Sequence, residues 1–193
     1  MLCQACHQFQ PGTFICVDCR RQLRVASDRI LPGGLRLVAA FQHSGPAITL
    51  VHHFKYRGLV GYADLVALML AERLPALPLV PVPRALTRRL RYGIDPARSI
   101  AQRLARRLGV PVLSLLGGPV HSQRRAGGDH TRPASGFRLR EVSRGPVILV
   151  DDVVTTGATL LSAVAAIGER NVHTVAAANA VPEVSSLSTR RPS

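Results

Sequence analysis

The stretch VILVDDVVTTGAT, residues 147–159, decides the fold of this chain. Four apolar residues run directly into Asp151 and Asp152, and a turn rich in threonine and glycine follows. A continuous apolar run of this kind is typical of a strand that is buried on both faces of a parallel sheet. Ligands of such sheets bind beyond the carboxyl ends of the strands. We therefore expect the strand to end at the two aspartates, and the aspartates to face a ligand.

The loop after the aspartates has the features of a phosphate-binding turn. Gly157 permits a tight turn and a close approach of the backbone, and the N–H groups at the start of the following helix attract an anion. The hydroxyls of Thr155, Thr156 and Thr159 add further donors. The loop lacks the G-K-[ST] of a Walker motif. Two adjacent carboxylates can accept hydrogen bonds from vicinal hydroxyls. Together with the neighbouring phosphate site, they predict a phosphorylated ribose as the ligand. The alternative is that the aspartates only cap the strand–helix junction.

Strand and helix patterns alternate along the rest of the chain, which predicts an α/β fold with a parallel sheet flanked by helices. The predicted strands cover residues 35–43, 77–83, 110–116, 146–152 and 172–181. The predicted helices cover residues 47–58, 62–74, 98–109 and 158–170, with a short helix within 20–34. The polar, glycine-rich residues 117–136 are expected to form a mobile loop.

All four cysteines lie near the N-terminus, in the order C-x2-C-x9-C-x2-C. They are Cys3, Cys6, Cys16 and Cys19. Two C-x2-C pairs can close a tetrahedron around one soft divalent ion, which predicts a structural zinc site. Disulfide or redox use is the alternative, and it suits a reducing compartment less well. The adjacent His7 is expected to be a surface residue.

The chain is strongly basic, with 25 lysines and arginines against 11 aspartates and glutamates, a net charge of +14. Lys55 is the only lysine. This charge predicts attraction to nucleic acid or phosphorylated small molecules, although a general bias toward arginine is the alternative. Aromatic residues make up only 4% of the chain, which argues against base stacking. Because no apolar run is long enough to span a bilayer and no signal-peptide pattern is present, we expect a cytoplasmic protein without membrane insertion.

These residues carry a resemblance to a known family. VILVDDVVTTGAT resembles the motif with which type I phosphoribosyltransferases bind 5-phosphoribosyl-1-pyrophosphate (PRPP), and over residues 3–181 the chain resembles the ComF family. The cysteine spacing, FKYRG (54–58) and VPVPRALTRRLR (80–91) carry the rest of the resemblance. It implies a type I phosphoribosyltransferase fold with a small N-terminal zinc ribbon. The implied boundaries are 1–24 for the zinc-ribbon element, 25–182 for the transferase-like domain and 183–193 for a disordered tail.

The resemblance also implies the residues of the PRPP site. Asp151 and Asp152 would bind the ribose 2′- and 3′-hydroxyls, and the loop from Thr155 to Thr159 would surround the 5-phosphate. The expected PRPP-binding residues are Asp151, Asp152, Val153, Thr155, Thr156, Gly157, Ala158 and Thr159. Mg²⁺ would be held mainly by PRPP oxygens rather than by a protein cage.

Further segments are expected to handle the pyrophosphate. The turn at Pro83 and Arg84 would form the pyrophosphate loop, because arginine forks match diphosphate oxygens. Its expected residues are Pro83, Arg84, Arg88 and Arg91, although Arg88 has a solvent-facing helix position as its alternative. A flexible loop with Gln123, Arg124, Arg125 and Arg132 would close over PRPP. Lys55 either contacts a phosphate or lies solvated on a helix surface. Where the family has arginine-glycine-phenylalanine-asparagine-glutamine, this chain has YGIDP at 92–96 and keeps only the glycine.

Two functions follow from the resemblance. The first is a pentosyl transfer (a glycosyltransferase reaction), in which a nitrogen nucleophile displaces pyrophosphate from PRPP. The acceptor and the general base are unassigned. The second is a non-catalytic, competence-type accessory role in DNA uptake, with single-stranded DNA and DNA-uptake proteins as partners and the PRPP site as a regulatory or ligand-binding site.

Overall fold

The computed structural model describes residues 2–119 and 136–181. Its main sheet has five strands: β1 (Arg29–Ile30), β2 (Arg36–Gln42), β3 (Leu79–Pro81), β6 (Val147–Val154) and β7 (Val172–Ala180). Their order in the sheet is β1-β2-β7-β6-β3. β2, β7, β6 and β3 run parallel to one another, and β1 pairs with β2 in the antiparallel sense at one edge. A second pair, β4 (Leu116–Gly117) and β5 (Arg138–Leu139), is antiparallel.

Helices cover both faces of the main sheet. They are α1 (Val17–Gln22), α2 (Pro46–Arg57), α3 (Val60–Ala71), α4 (Leu86–Tyr92), α5 (Pro96–Leu108) and α6 (Ala158–Ile167), with a 3-10 turn at Glu169–Asn171. One core contains residues of α2, α3 and α5, and the other contains residues of α6. Within β6, Ile148 belongs to the first core and Leu149 to the second. This alternation explains why a continuous apolar run predicts a central strand.

Capping signals set the ends of α5, the most clearly predicted helix. The Asp95 side chain accepts a hydrogen bond from the backbone N–H of Arg98 at 3.3 Å, and Pro96 occupies the first helical position. Gly109 ends the helix in the left-handed conformation with a φ of 68°. None of the helices in the described ranges is long and apolar enough to cross a membrane.

Two sequence predictions for the fold are wrong. Residues 110–116 form no continuous strand: Val112 makes one isolated bridge to Leu79, and β4 begins only at Leu116. Pro111 has no N–H to donate to a ladder, which limits the pairing here. The helix expected within 20–34 is in fact α1, which begins earlier at Val17; β1 and a turn through the adjacent glycines follow.

Candidate functional site

The two aspartates lie inside β6 and not at its end, because the strand continues to Val154. The expectation that the strand ends at the aspartates is therefore wrong by two residues. Both side chains are partly buried, whereas the four apolar residues before them are fully buried. The Asp151 Oδ1 accepts a hydrogen bond from the backbone N–H of Asp152 at 2.7 Å. This contact fixes the Asp151 carboxylate against the backbone of β6.

Asp152 forms an ion pair with the only lysine of the chain. The Nζ of Lys55, from the last turn of α2, lies 3.0 Å from Asp152 Oδ1. Both side chains are largely shielded, with 23% of Lys55 and 17% of Asp152 exposed. A shielded pair of this kind is screened less by salt than a surface pair. The structure thus places Lys55 at the site, in contact with a carboxylate of the chain.

Asp151 has an unusual electrostatic environment. Burial, and after it the negative charge of Asp152, raise the pKa of the Asp151 carboxyl to about 7. The N–H of Asp152 and the ammonium group of Lys55 act in the opposite direction without cancelling this rise. A carboxyl with a pKa near neutrality is typical of a binding or catalytic site, where a ligand supplies a hydrogen-bonding or cationic partner.

The loop after β6 surrounds a cavity at the carboxyl edge. The cavity is lined by Asp151, Val153, Val154, Thr155, Thr156, Gly157, Ala158, Thr159 and Leu160. Gly157 has a φ of +82° and caps the N-terminus of α6, a conformation that favours glycine. The backbone N–H of Ala158 donates to Thr156 Oγ1 at 3.4 Å. The structure therefore gathers every residue of the expected PRPP set around one cavity except Asp152, which faces Lys55.

Arg84 is packed into the protein. Its guanidinium lies 5.4 Å from the ring centre of Tyr56 and 5.1 Å from that of Tyr92. Its Nη1 also donates to the carbonyls of Lys55 and Ile94, each at 3.3 Å. Tyr92, which stands where the family pattern has arginine, is therefore one of the two rings that contact Arg84. In this arrangement Arg84 joins the end of α2 to the turn after α4.

Pro83, Arg88 and Arg91 are the other predicted pyrophosphate residues. Pro83 follows β3, and the neighbouring Gly118 leaves no room for a side chain, since a Cβ there would lie 2.9 Å from the Arg84 carbonyl oxygen. Arg91 is exposed and lies 5.4 Å from the Tyr92 ring centre. Arg88 lies within α4. The flexible-loop residues Gln123, Arg124, Arg125 and Arg132, like the tail 183–193, lie outside the described residues.

A buried polar network beside the aspartates was missed by the sequence analysis. Asn179, in β7, is fully buried; it accepts a hydrogen bond from the Tyr62 hydroxyl and donates to the Ala47 carbonyl at 3.0 Å. Its Nδ2 lies 3.2 Å from Nδ1 of His43. Burial, and then Lys55, lower the pKa of His43. An asparagine within the apolar run VAAANAV was the available signal, because a buried amide requires partners.

The four cysteines are brought together as predicted. Their sulfur atoms all lie within 4.8 Å of one another, and Cys6 Sγ is 3.7 Å from Cys16 Sγ. A tetrahedron with Zn–S bonds of about 2.3 Å has edges of about 3.8 Å, so the cluster has the size of a metal site. Burial acts to raise the pKa of the Cys3 thiol, but backbone N–H groups, first that of Cys6, hold it at about 6. The four cysteines are thus positioned to bind a metal ion.

Comparison with known proteins agrees with this geometry. Residues 95–190 match the family model of the phosphoribosyl transferase domain. The matched region includes the aspartate pair and the phosphate-type loop, and it supports the type I phosphoribosyltransferase superfamily. The predicted fold class is confirmed: a mostly parallel sheet flanked by helices, with a four-cysteine cluster near the N-terminus. A search of curated proteins finds no match to the chain.

Proposed function

We propose that this chain binds PRPP together with Mg²⁺ and transfers the 5-phosphoribosyl group to a nitrogen acceptor. The observation that carries the proposal is the single cavity at the carboxyl edge of β6, which Asp151 shares with the loop from Thr155 to Thr159. The loop has the backbone donors and hydroxyls that a phosphate requires. The aspartates have the acceptor oxygens that ribose hydroxyls require.

Mg²⁺ fits this site as a companion of the substrate. Asp152 is already paired with Lys55, and Asp151 lies at the cavity, so the described part of this edge has no cage of several free carboxylates. Mg²⁺ prefers a few carboxylates together with phosphate oxygens and retained waters. When bound, the ion would neutralise charge on the diphosphate.

The reaction forms a bond between the acceptor nitrogen and the anomeric carbon and breaks the bond from that carbon to the pyrophosphate oxygen. The bonding electrons leave with the pyrophosphate, and the nitrogen loses its proton to solvent or to a base. The loop and the aspartates would hold the ribose phosphate in one orientation, which lowers the entropic part of the barrier. Of the predicted pyrophosphate-loop arginines, Arg91 is exposed beside Tyr92, and we propose that it meets the departing charge.

Isothermal titration with PRPP and Mg²⁺ tests the proposal. Wild-type protein is expected to bind, and Asp151→Asn is expected to weaken binding by at least about tenfold, since it removes the carboxylate that lines the cavity. Asp64→Asn is the matched control, because it removes an aspartate that pairs with Arg103 elsewhere on the surface. Absence of PRPP binding to the wild-type protein would overturn the proposal.

A second candidate function is favoured by the aromatic surface around Arg84. Tyr56 is 38% exposed and packs against Tyr92 at 4.8 Å, with Arg84 and Arg91 beside the rings. Aromatic rings interleaved with arginines bind single-stranded nucleic acid by stacking and charge. We therefore propose single-stranded DNA as a partner, as the ComF resemblance implies. A salt-dependent gel shift with oligodeoxythymidine that Tyr56→Ala weakens would support this partner, and no shift at low salt would exclude it.

We also propose that the ion at the cysteine cluster is zinc and that it stabilises the N-terminal segment. Cys3, Cys16 and Cys19 are buried in the same core as Leu50 and Tyr62 of α2 and α3. The cluster therefore joins the proposed element 1–24 to the proposed domain 25–182. Metal analysis of purified protein is expected to give about one zinc per chain. Four thiols that react rapidly with an alkylating reagent in native protein would contradict a closed site.

A further inference from the structure

Arg29 contacts the phosphate-type loop from outside the cavity. Its Nη2 donates to the carbonyl of Thr155 at 3.1 Å, and its Nη1 donates to the carbonyl of Val181 at 3.1 Å. The backbone N–H of Val181 in turn donates to the carbonyl of Val154 at 2.9 Å. One guanidinium therefore ties the first residue of the loop to the chain just after β7.

The contact constrains the direction of one peptide group. The described chain has no cis peptide bonds, so the Thr155–Thr156 peptide is trans. In a trans peptide, the carbonyl and the following N–H point in opposite directions. Arg29 does not line the cavity, whereas Thr155 and Thr156 both do. Holding the Thr155 carbonyl outward on Arg29 therefore turns the Thr156 N–H toward the cavity.

That N–H group is available to a ligand. None of the hydrogen bonds between described residues uses the Thr156 N–H as donor. Thr156 is exposed, so its N–H is open to solvent and to a ligand that enters the cavity. An anion in the cavity would supply the acceptor, because backbone N–H groups that converge at a helix start bind phosphate oxygens.

The charge of Arg29 has no carboxylate partner among the described residues. None of the ion pairs between described residues includes Arg29, and its Nε is buried without a hydrogen-bond partner. The neighbouring Arg36 differs, because it pairs with Asp28. The same segment supports the loop by packing, since Leu31 lies 3.4 Å from where a Cβ of Gly157 would be.

We propose that Arg29 is a positioning residue for phosphate binding: it fixes the Thr155 carbonyl outward and so presents the Thr156 N–H to the 5-phosphate of the ligand. The inference rests on the proposed function, since it assumes that this cavity takes a ribose phosphate. Arg29 acts through the loop and does not touch the reacting atoms.

Titration with ribose 5-phosphate, followed by calorimetry and by amide NMR, tests this role. Arg29→Met is expected to lower the affinity for ribose 5-phosphate about tenfold, the equivalent of one good charged hydrogen bond. Arg29→Lys keeps the charge with a single donor group and is expected to recover part of this loss. Arg36→Met, a neighbouring arginine that pairs with Asp28 and not with the loop, is expected to bind like wild type.

The Thr156 amide resonance separates positioning from general loss of structure. In wild type this resonance is expected to shift downfield on addition of ribose 5-phosphate, and in Arg29→Met the shift is expected to shrink while other amides of α6 stay in place. Equal affinity and an equal Thr156 shift in wild type and Arg29→Met would overturn the inference and leave the proposed function intact. Failure of the wild type to bind ribose 5-phosphate and PRPP would overturn the proposed function itself. If Arg29→Met does not fold, Arg29→Gln, which is polar and neutral, replaces it and is read for the same two outcomes.

Discussion

The proposed ribose-phosphate region and the arginine region around Arg84 are built in different ways. The first, residues 151–160, is one unbroken segment that runs from β6 through the loop into α6. The second joins the end of α2, the turn after β3 and the turn after α4 around the side chain of Arg84. The first region has free backbone donors around a cavity, whereas the second has its central cation engaged with protein carbonyls and rings. Local geometry therefore leaves backbone donors open to a ligand in the first region, whereas in the second it holds the Arg84 side chain itself by packing.

This contrast shows that an arginine near a proposed phosphate site can have either of two roles: it can stabilise the fold, or it can stay exposed to a ligand. A guanidinium that lies between two tyrosines and also donates to two carbonyls contributes to stability. Its charge already interacts with these protein groups. Arg91 has no carbonyl partner of this kind in the described chain and is exposed. The resemblance treats Arg84 and Arg91 alike as pyrophosphate residues, but the structure gives them different surroundings.

The largest expected effect concerns Arg84. Arg84→Met is expected to lower the free energy of unfolding by about 2–3 kcal/mol, because it removes two ring contacts and leaves two carbonyls without their donor. Urea unfolding measures this loss. Arg91→Met, which removes an exposed arginine of α4 beside the same ring, is the control and is expected to change stability by less than about 0.5 kcal/mol. An Arg84→Met variant with unchanged stability and no PRPP binding would contradict this contrast between the two regions.

Gly157 tests the ribose-phosphate region in the same way. Gly157→Ala is expected to cost about 1–2 kcal/mol of stability, because alanine is strained at a φ of +82° and its Cβ would meet Leu31 at 3.4 Å. The shifted loop is also expected to bind ribose 5-phosphate more weakly. Thermal unfolding and calorimetry measure the two effects.

The control for the glycine is Gly145→Ala. No atom lies within 4 Å of a Cβ placed on Gly145, and its φ is outside the left-handed region. This variant is expected to keep wild-type affinity. Gly157→Ala with undiminished affinity would show that the loop backbone is not what holds the phosphate.

The difference between the regions also explains what could be predicted from the sequence. Two segments with a local signal were placed to within two residues: the predicted strand 172–181 is Val172–Ala180, and the predicted helix 98–109 is Pro96–Leu108. The residues of the phosphate-type loop were predicted because strand, turn and helix follow one another directly. β1 and β5 were not predicted, because two-residue strands carry no periodic pattern.

Contacts between distant segments had no such signal. The position of Arg84 depends on Tyr56 and on Ile94, which are 28 and 10 residues away in the chain. The tie between Arg29 and Thr155 spans 126 residues. Nothing in the composition or spacing of either segment predicts these pairs, since they follow from the order of the strands in the sheet.

The titration of Asp151 is expected to make the stability depend on pH. Its pKa of about 7 in the folded protein lies above the ordinary value of 3.8, so its favourable contribution is complete below about pH 4 and is lost as the pH rises through 7. Asp151→Asn is therefore expected to be more stable than wild type at pH 8, and the difference should shrink toward pH 5. Urea unfolding at both pH values measures it. A variant that is less stable than wild type at pH 8 would show that the ionised carboxylate is favoured in the folded state.

The smallest expected effect distinguishes the ring of Tyr92 from its hydroxyl. Tyr92→Phe keeps the ring 5.1 Å from the Arg84 guanidinium and 4.8 Å from the Tyr56 ring, so the unfolding free energy is expected to change by less than about 0.5 kcal/mol. Urea unfolding beside Arg84→Met gives the comparison. A loss as large as that of Arg84→Met would mean that the hydroxyl, and not the ring, orders this region. The arginine region would then depend on a hydrogen bond that the ring contacts do not reveal.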